Sequence, residues 1–350
     1  MKKSLCLLIS LLITLSVMPR AVLAEETLSF TDSAGRTVKV PKDIRRIAPS
    51  GPLAQMALMA LAPERFVGLS SAMDRDAEKY LKPLAQLPVI GLLYGTKGEL
   101  NLEELLRLDP QVIIDIGDAK PSVKDDMDAL QAQLGIPCVH IDMRLKDAGH
   151  AYRMLGELLD AREKAETIAL YCELVYKRAE SIALQVADKK VRLLYCLGED
   201  GLNVLAKGSY HAEVLDLAAD NAAVIDSPAS KGTGNEADME QLFLWDPDFI
   251  VFAPDSAYPA AASDPLWQEL KAVRQGNYVQ TPCGPYNWMG FPASVQRFLG
   301  LLWLQKLLYP QEARYDLQAE VTVYYKLFYG HELTPAQYDA LMRCALTRKP

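Results

Sequence analysis

Histidine is scarce in this chain: His140, His150, His211 and His331 are the only four in 350 residues. They form no H-x-x-x-H pair and have no acid cluster beside them, which excludes a locally encoded cage for bare zinc or manganese. Several enzyme signatures are also missing. There is no G-x-S-x-G elbow and no G-x-x-x-x-G-K-[ST] phosphate loop. Gly232-Thr-Gly234-Asn-Glu-Ala237 satisfies G-x-G-x-x-A, but a loop, Asp226-Ser-Pro-Ala-Ser, precedes it where a nucleotide fingerprint requires a strand. No C-x-x-C spacing occurs. No internal apolar run approaches the ~20 residues of a spanning helix.

The amino terminus reads as an export signal. Lys2 and Lys3 precede an apolar run from Ser4 to Val17, and Val22-Leu23-Ala24 offers small residues for cleavage before Glu25. Cys6 lies inside the run rather than just after the cleavage site, so attachment of a lipid to a mature amino-terminal cysteine is not expected. Removing residues 1–24 takes away three positive charges and no acid, which moves the formal charge from −8 to −11. An acidic exported chain is a poor nucleic-acid binder. Five cysteines remain: Cys138, Cys172, Cys196, Cys283 and Cys344. Their odd number and irregular spacing point to free thiols, although an oxidising compartment permits a bridge. With 50% of its residues hydrophobic, the chain has material for two domains with separate cores.

One passage occurs twice. Asn101-Leu-Glu-Glu-Leu-Leu-Arg-Leu-Asp-Pro-Gln-Val-Ile-Ile-Asp returns, 137 residues later, as Asp238-Met-Glu-Gln-Leu-Phe-Leu-Trp-Asp-Pro-Asp-Phe-Ile-Val-Phe. In each copy Asn101 or Asp238 can cap a helix by accepting a backbone N–H that the first turn leaves unsatisfied. Leu102, Leu105 and Leu106, like Met239, Leu242 and Phe243, recur at helical spacing. Asp-Pro then ends the helix, because proline crowds the preceding residue out of the α region. Val112-Ile-Ile and Phe249-Ile-Val follow as strands buried on both faces. The duplication implies two similar lobes.

Between the copies, Asp160 to Lys190 contains no Gly or Pro. Ala165, Ile168, Cys172, Val175, Ala179, Ile182 and Val186 draw one apolar stripe, which predicts a single helix of roughly 45 Å. Its small residues and short length argue against a coiled coil and for a strut joining the lobes. Strand and helix patterns alternate on either side: Arg46-Ile-Ala, a helix at Leu53–Leu61, strands at Phe66–Leu69 and Pro137–Ile141, and, beyond the strut, strands at Val191–Cys196, Leu202–Leu205 and Tyr278–Val279. Helices are expected at His211–Ala219 and Trp267–Val273, and from Ser294 onward with breaks at Pro310 and Pro335. The order is that of an α/β protein.

Phe30-Thr-Asp-Ser-Ala-Gly-Arg-Thr-Val-Lys-Val-Pro, Arg46-Ile-Ala-Pro-Ser, the turn at Gly91 to Gly95, the Asn101-Leu-Glu-Glu-Leu passage with Asp109-Pro110, the strut, and Tyr286-Asn-Trp-Met-Gly-Phe-Pro-Ala-Ser-Val follow one another over Leu28 to Pro310. In that order they resemble the periplasmic solute-binding proteins of ABC importers that carry iron siderophores, haem and cobalamin. The resemblance implies two Rossmann-like α/β lobes bridged by a single long α-helix with a ligand cleft between them. The corresponding division is a signal peptide at 1–24, an amino-terminal lobe at 25–159, the helix at 160–190, a carboxyl-terminal lobe at 191–310 and a helical tail at 311–350. It also implies a monomeric periplasmic receptor without intrinsic cofactor or enzymatic activity. Such a receptor delivers a ferric siderophore, haem, cobalamin or another metal chelate to a permease dimer, and Glu103 and Glu240 match the family's one docking glutamate per lobe. A two-lobed scaffold without transport, or an enzyme with scattered catalytic residues, are the alternatives.

For the cleft, the loops after strands are the expected source of ligand contacts. They hold Ser50, Gly51, Tyr94, Arg144, Tyr210, His211, Tyr258, Tyr286 and Trp288. Tyrosine and tryptophan offer flat apolar faces with a polar edge, suited to a bulky chelate. Arg144 could pair with a carboxylate or an anionic chelate. No metal ligand is assigned, with Tyr286 and His211 the residues best suited to reach a metal.

Overall fold

The computed structural model describes residues 26–73, 75–81, 84–93, 100–229 and 231–346. The expected signal segment 1–24 and the candidate Tyr94 lie outside the described residues.

The chain opens with an antiparallel hairpin, β1 (Thr27–Thr31) and β2 (Thr37–Pro41). Its turn is built by Asp32, whose Oδ1 accepts from the N–H groups of Ala34 and Arg36 while Gly35 takes a left-handed φ of 72°. Arg36 pairs with Asp32 at 2.9 Å and donates to the Cys138 carbonyl, which ties the hairpin to the first sheet. The conspicuous Thr-Asp-Ser-Ala-Gly-Arg sequence is thus a structural clasp.

The first α/β unit runs β3 (Ile47–Pro49), α1 (Pro52–Leu61), α2 (Arg75–Leu81), α3 (Leu102–Leu108), β4 (Val112–Gly117), α4 (Val123–Leu134), β5 (Cys138–Asp142) and α5 (Ala148–Leu158). Its strands are parallel in the order β3-β4-β5. The predicted strand at Phe66–Leu69 is reduced to isolated bridges, Ile47 with Phe66 and Leu69 with Val89. Next comes α6 (Arg162–Gln185), 24 unbroken residues or about 36 Å. It is shorter than the predicted strut: Asp160 turns at a left-handed φ of 47°, and a single turn of 3₁₀ helix at Ala187–Lys189 replaces its last residues. The predicted stripe is the buried one, and α6 packs on α5.

The second unit runs β6 (Arg192–Leu197), β7 (Asn203–Val204), α7 (Glu213–Ala218), β8 (Asp220–Asn221), β9 (Asn235–Glu236), α8 (Met239–Trp245), β10 (Phe249–Phe252), α9 (Tyr258–Ala261), α10 (Lys271–Arg274) and β11 (Tyr278–Gln280). Here β6, β8, β10 and β11 are parallel, whereas β7 and β9 add antiparallel pairings. The chain closes with α11 (Arg297–Leu308), α12 (Leu317–Tyr329) and α13 (Pro335–Met342). Pro335 starts a helix rather than breaking one. It stands at the first helical position, behind a capping box of Thr334 and Gln337.

The two copies of the repeat fold alike. Asn101 accepts from Glu104 N and Asp238 from Gln241 N, and both helices end at a left-handed aspartate, Asp109 at φ 48° and Asp246 at φ 40°. The following strands β4 and β10 lie in different sheets.

Period-two alternation sorts the strand residues between layers. Val112, Ile114 and Ile116 face inward with Leu193, Tyr195, Leu197, Phe249 and Val251. Ile113 faces an outer cluster beneath α3 and α4, and Leu194, Cys196, Ile250 and Phe252 face another around Trp245 and Trp267. The inward residues of both sheets belong to one cluster with α5, α6, α11 and α12. The expectation of separate cores is therefore corrected. Helices α6 and α11, apolar along long faces, must bury them, and α12 packs on both α1 of the first unit and α11. Cys138, Cys172 and Cys196 are thiols buried in these layers.

Candidate ligand cleft

Chain turns at the carboxyl ends of β3 and β4 bring Ser50, Gly51, Pro52 and Leu53 beside Gly117, Asp118 and Lys120. Facing them from the second unit are Tyr210 and His211, which form a turn of 3₁₀ helix before α7. Together these residues line a cavity of about 240 Å³. Gly51 is the N-cap of α1, with extended backbone, no side-chain cap and no acid in the first turn. The positive end of that helix therefore meets the cavity with uncapped N–H groups.

Acids on the cavity wall are engaged by neighbours. Asp115 lies on β4 opposite His140 on β5; its Oδ2 is 2.6 Å from His140 Nδ1, and its Oδ1 accepts from Ser50 Oγ. Asp118 Oδ1 accepts from Arg144 Nη2 at 2.5 Å. Arg144 also reaches Glu213 on α7 at 3.8 Å, so it spans from one unit to the other.

Tyr210 is held between two cations. The Arg297 guanidinium lies 4.6 Å from its ring centroid and that of Arg144 5.7 Å. Its hydroxyl donates to the Met143 carbonyl at 2.9 Å. Burial pushes its pKa up to about 12, so it is a neutral phenol near pH 7. Arg297, only 1% exposed, donates from Nη1 to the Tyr210 carbonyl at 2.8 Å and to Glu213 Oε2 at 2.9 Å. Burial lifts the Glu213 carboxyl above its ordinary range, against the pull of Arg297. Burial likewise depresses His211 to about 4, helped by Arg297 and Lys120, so its imidazole is neutral near pH 7. Among the described residues no group of three or more His, Cys, Asp or Glu could hold a metal ion.

A model of the family described as periplasmic binding protein matches residues 63–283. The chain belongs to that family. It is 26% identical over 333 residues to the molybdate-binding protein MolA of Haemophilus influenzae, covering 87% of this chain and 92% of that protein. An ABC transporter solute binding protein from Sulfurospirillum deleyianum superposes with a TM-score of 0.82 at 26% identity, covering 90% of this chain and 99% of that one. The catecholate-siderophore binding protein VctP of Vibrio cholerae shares the fold, with a TM-score of 0.57 at 15% identity over 84% of this chain and 100% of its own. No helix among the described residues is long and apolar enough to cross a membrane.

In this periplasmic binding protein, four of the expected residues, Ser50, Gly51, Tyr210 and His211, meet at the cavity, and Arg144 stands at its edge. Tyr286 and Trp288 do not. Trp288 is 0% exposed in the shared core, and Tyr286 packs partly buried against the same cluster. Their loop folds inward because Asn287 Nδ2 donates to the buried Tyr195 hydroxyl at 2.9 Å and the Trp288 carbonyl lies flat against Gly300 of α11. Tyr258 sits in the outer cluster with Phe252 and Tyr278. Lys120, Asp115, Asp118, Glu213 and Arg297 were not anticipated. Asp115 had a readable signal, an acid inside the apolar run Val112-Ile-Ile-Asp-Ile; Arg297 had none. The apparent nucleotide motif also finds its reason: a Cβ on Gly232 would come within 2.7 Å of the Phe291 ring and 3.4 Å of His211. Phe291, 54% exposed at φ 64°, therefore stands beside His211 at the rim. Glu103 and Glu240 are both exposed on the first turns of α3 and α8.

Proposed function

We propose that this periplasmic binding protein captures a compact anion in the cleft and delivers it to the permease of an ABC importer. In this reading it is exported with cleavage after Ala24, acts as a monomer and performs no chemistry on its cargo. The observation that carries the proposal is the uncapped amino terminus of α1 opening on the cavity, because free N–H groups and the helix dipole together favour an anion. Lys120 adds a full positive charge to the lining, neutral His211 adds a polar edge, and Asp118 is offset by Arg144. A cavity of about 240 Å³ lies below the roughly 300–1,000 Å³ of pockets that enclose drug-sized ligands, which favours an oxyanion over haem or cobalamin. The relative MolA is named for molybdate. A second reading, an anionic metal chelate such as a ferric siderophore, is favoured by the exposed Phe291 ring at the rim, a face on which a planar ligand can lie.

Melting curves and calorimetry with molybdate, tungstate, sulfate, phosphate and a ferric catecholate separate the two. A tetrahedral oxyanion is expected to raise the melting temperature with 1:1 stoichiometry, adding about 2.7 kcal/mol of stability at a hundred times Kd. Lys120→Glu is expected to weaken it at least about tenfold, as loss of a charge-assisted contact predicts. A shift with the ferric catecholate alone would refute the oxyanion reading in favour of the chelate.

For delivery, the exposed Glu103 and Glu240 supply one acid per unit, a two-point electrostatic register with cationic residues of a permease. Reversing both charges with Glu103→Arg and Glu240→Arg is expected to abolish ligand-stimulated ATP hydrolysis by the reconstituted transporter and to leave ligand affinity intact. Undiminished stimulation would remove docking from these positions.

A further inference from the structure

We propose that a second cavity, remote from the cleft, binds a free single-chain alkyl carboxylate. This cavity measures about 460 Å³, larger than the cleft, and shares no lining residue with it. It opens where α12 crosses α1. Met59, Phe66, Leu84, Leu87, Leu327 and Phe328 supply apolar wall. The cavity is a groove open to solvent at one side, and concave apolar walls of this kind take up apolar guests.

The charges at its mouth select the head group. Glu64 faces Arg65 at 3.5 Å, and Lys326 is paired with Glu332. Lys164, on the first turn of α6, also lines the cavity and has no carboxylate within ion-pair distance among the described residues. Much of Lys164 meets solvent, yet the wall beneath it desolvates the ammonium enough to lower its pKa, against the pull of Glu64. An apolar chamber with, among the described residues, one cation outside any ion pair at its entrance matches a ligand with an alkyl body and a single negative end. Neither the hydrophobic pattern nor any motif announces this site, because its walls come from segments more than 250 residues apart in the chain.

Titration of the intact protein with octanoate, decanoate, laurate and decanol, followed by calorimetry, tests the proposal. Binding is expected to be 1:1 and to strengthen about fourfold per added methylene until the chamber is full, the factor corresponding to ~0.8 kcal/mol per buried methylene. Lys164→Met is expected to weaken decanoate about tenfold while leaving decanol unchanged. Leu327→Trp, placed at the half-buried wall, is expected to abolish binding of both with its circular dichroism intact. Absence of saturable binding, affinity independent of chain length, or an acid-to-alcohol ratio unmoved by Lys164→Met would each overturn it. So would cosedimentation with anionic phospholipid vesicles in the absence of any binding to the free acids, since that result would make the surface a membrane contact.

Discussion

Replacing Arg297 with Met is expected to lower the unfolding free energy by about 3 kcal/mol, because it strands a carboxylate whose partner was buried. Arg297 is 1% exposed and satisfies three acceptors at once: the carbonyls of Ser294 and Tyr210 and the Glu213 carboxylate. Methionine fills much of the volume and satisfies none of them. Glu213 would keep the Leu145 N–H at 3.3 Å and Arg144, 3.8 Å away and partly exposed. The loss carries a pH signature. In the native protein burial already holds the Glu213 pKa above its ordinary value despite Arg297, and without that cation the pKa rises further. An acid whose folded pKa exceeds its unfolded one loses stability as pH rises through the folded value. The deficit of Arg297→Met is therefore expected to be smaller at about pH 5 than at about pH 8, as read by urea unfolding at both. A deficit independent of pH would mean that Glu213 does not feel the substitution. Affinity for the cleft ligand is expected to fall as well, because the backbone that presents Tyr210 and His211 loses its tether to α11.

Gly300→Ala sets two effects against each other. Alanine inside a helix gains up to about 1 kcal/mol over glycine. In α11, however, the new methyl would lie 2.3 Å from the Trp288 carbonyl oxygen and 3.1 Å from the Met289 sulfur. The oxygen belongs to backbone and cannot rotate aside, so α11 must move from the loop that it holds inward. Overpacking of this kind costs about 3 kcal/mol, and a net loss of about 2 kcal/mol in denaturant unfolding is expected. An unchanged or higher midpoint would show that the Trp288 loop yields freely. Gly156→Ala poses the same conflict between α5 and α6, with the new methyl 2.4 Å from the Ala165 Cβ.

Locally encoded parts of the fold were legible. Asn101 and Asp238 cap as their side chains dictate, and Asp109 and Asp246 leave the helix as the following prolines require. The α6 stripe followed from spacing alone, because an exposed Leu170 or Leu174 and a buried Ile168 or Cys172 are distinguished by their position around the helix. The site was legible in part. Ser50, Gly51, Tyr210 and His211 follow or precede regular elements whose ends are fixed by pattern. Trp288 misled because breaking regular structure says nothing about the direction in which a loop turns, and Arg297 is typical of any helix start until Glu213 is beside it.

By itself, then, the sequence determined the duplicated segment, the alternation of strands and helices, and the long helix α6 with its buried stripe, since caps, proline sterics and apolar periodicity act within a few residues. Tertiary structure alone decided that α11 and α12 fuse the inward faces of both sheets into one core, that Asn287, Trp288 and Met289 point into it, and that Arg144, Glu213, Tyr210 and Arg297 converge at the cleft. Those outcomes depend on which distant surfaces bury one another, and that choice is made by the summed packing of the chain rather than by any segment of it.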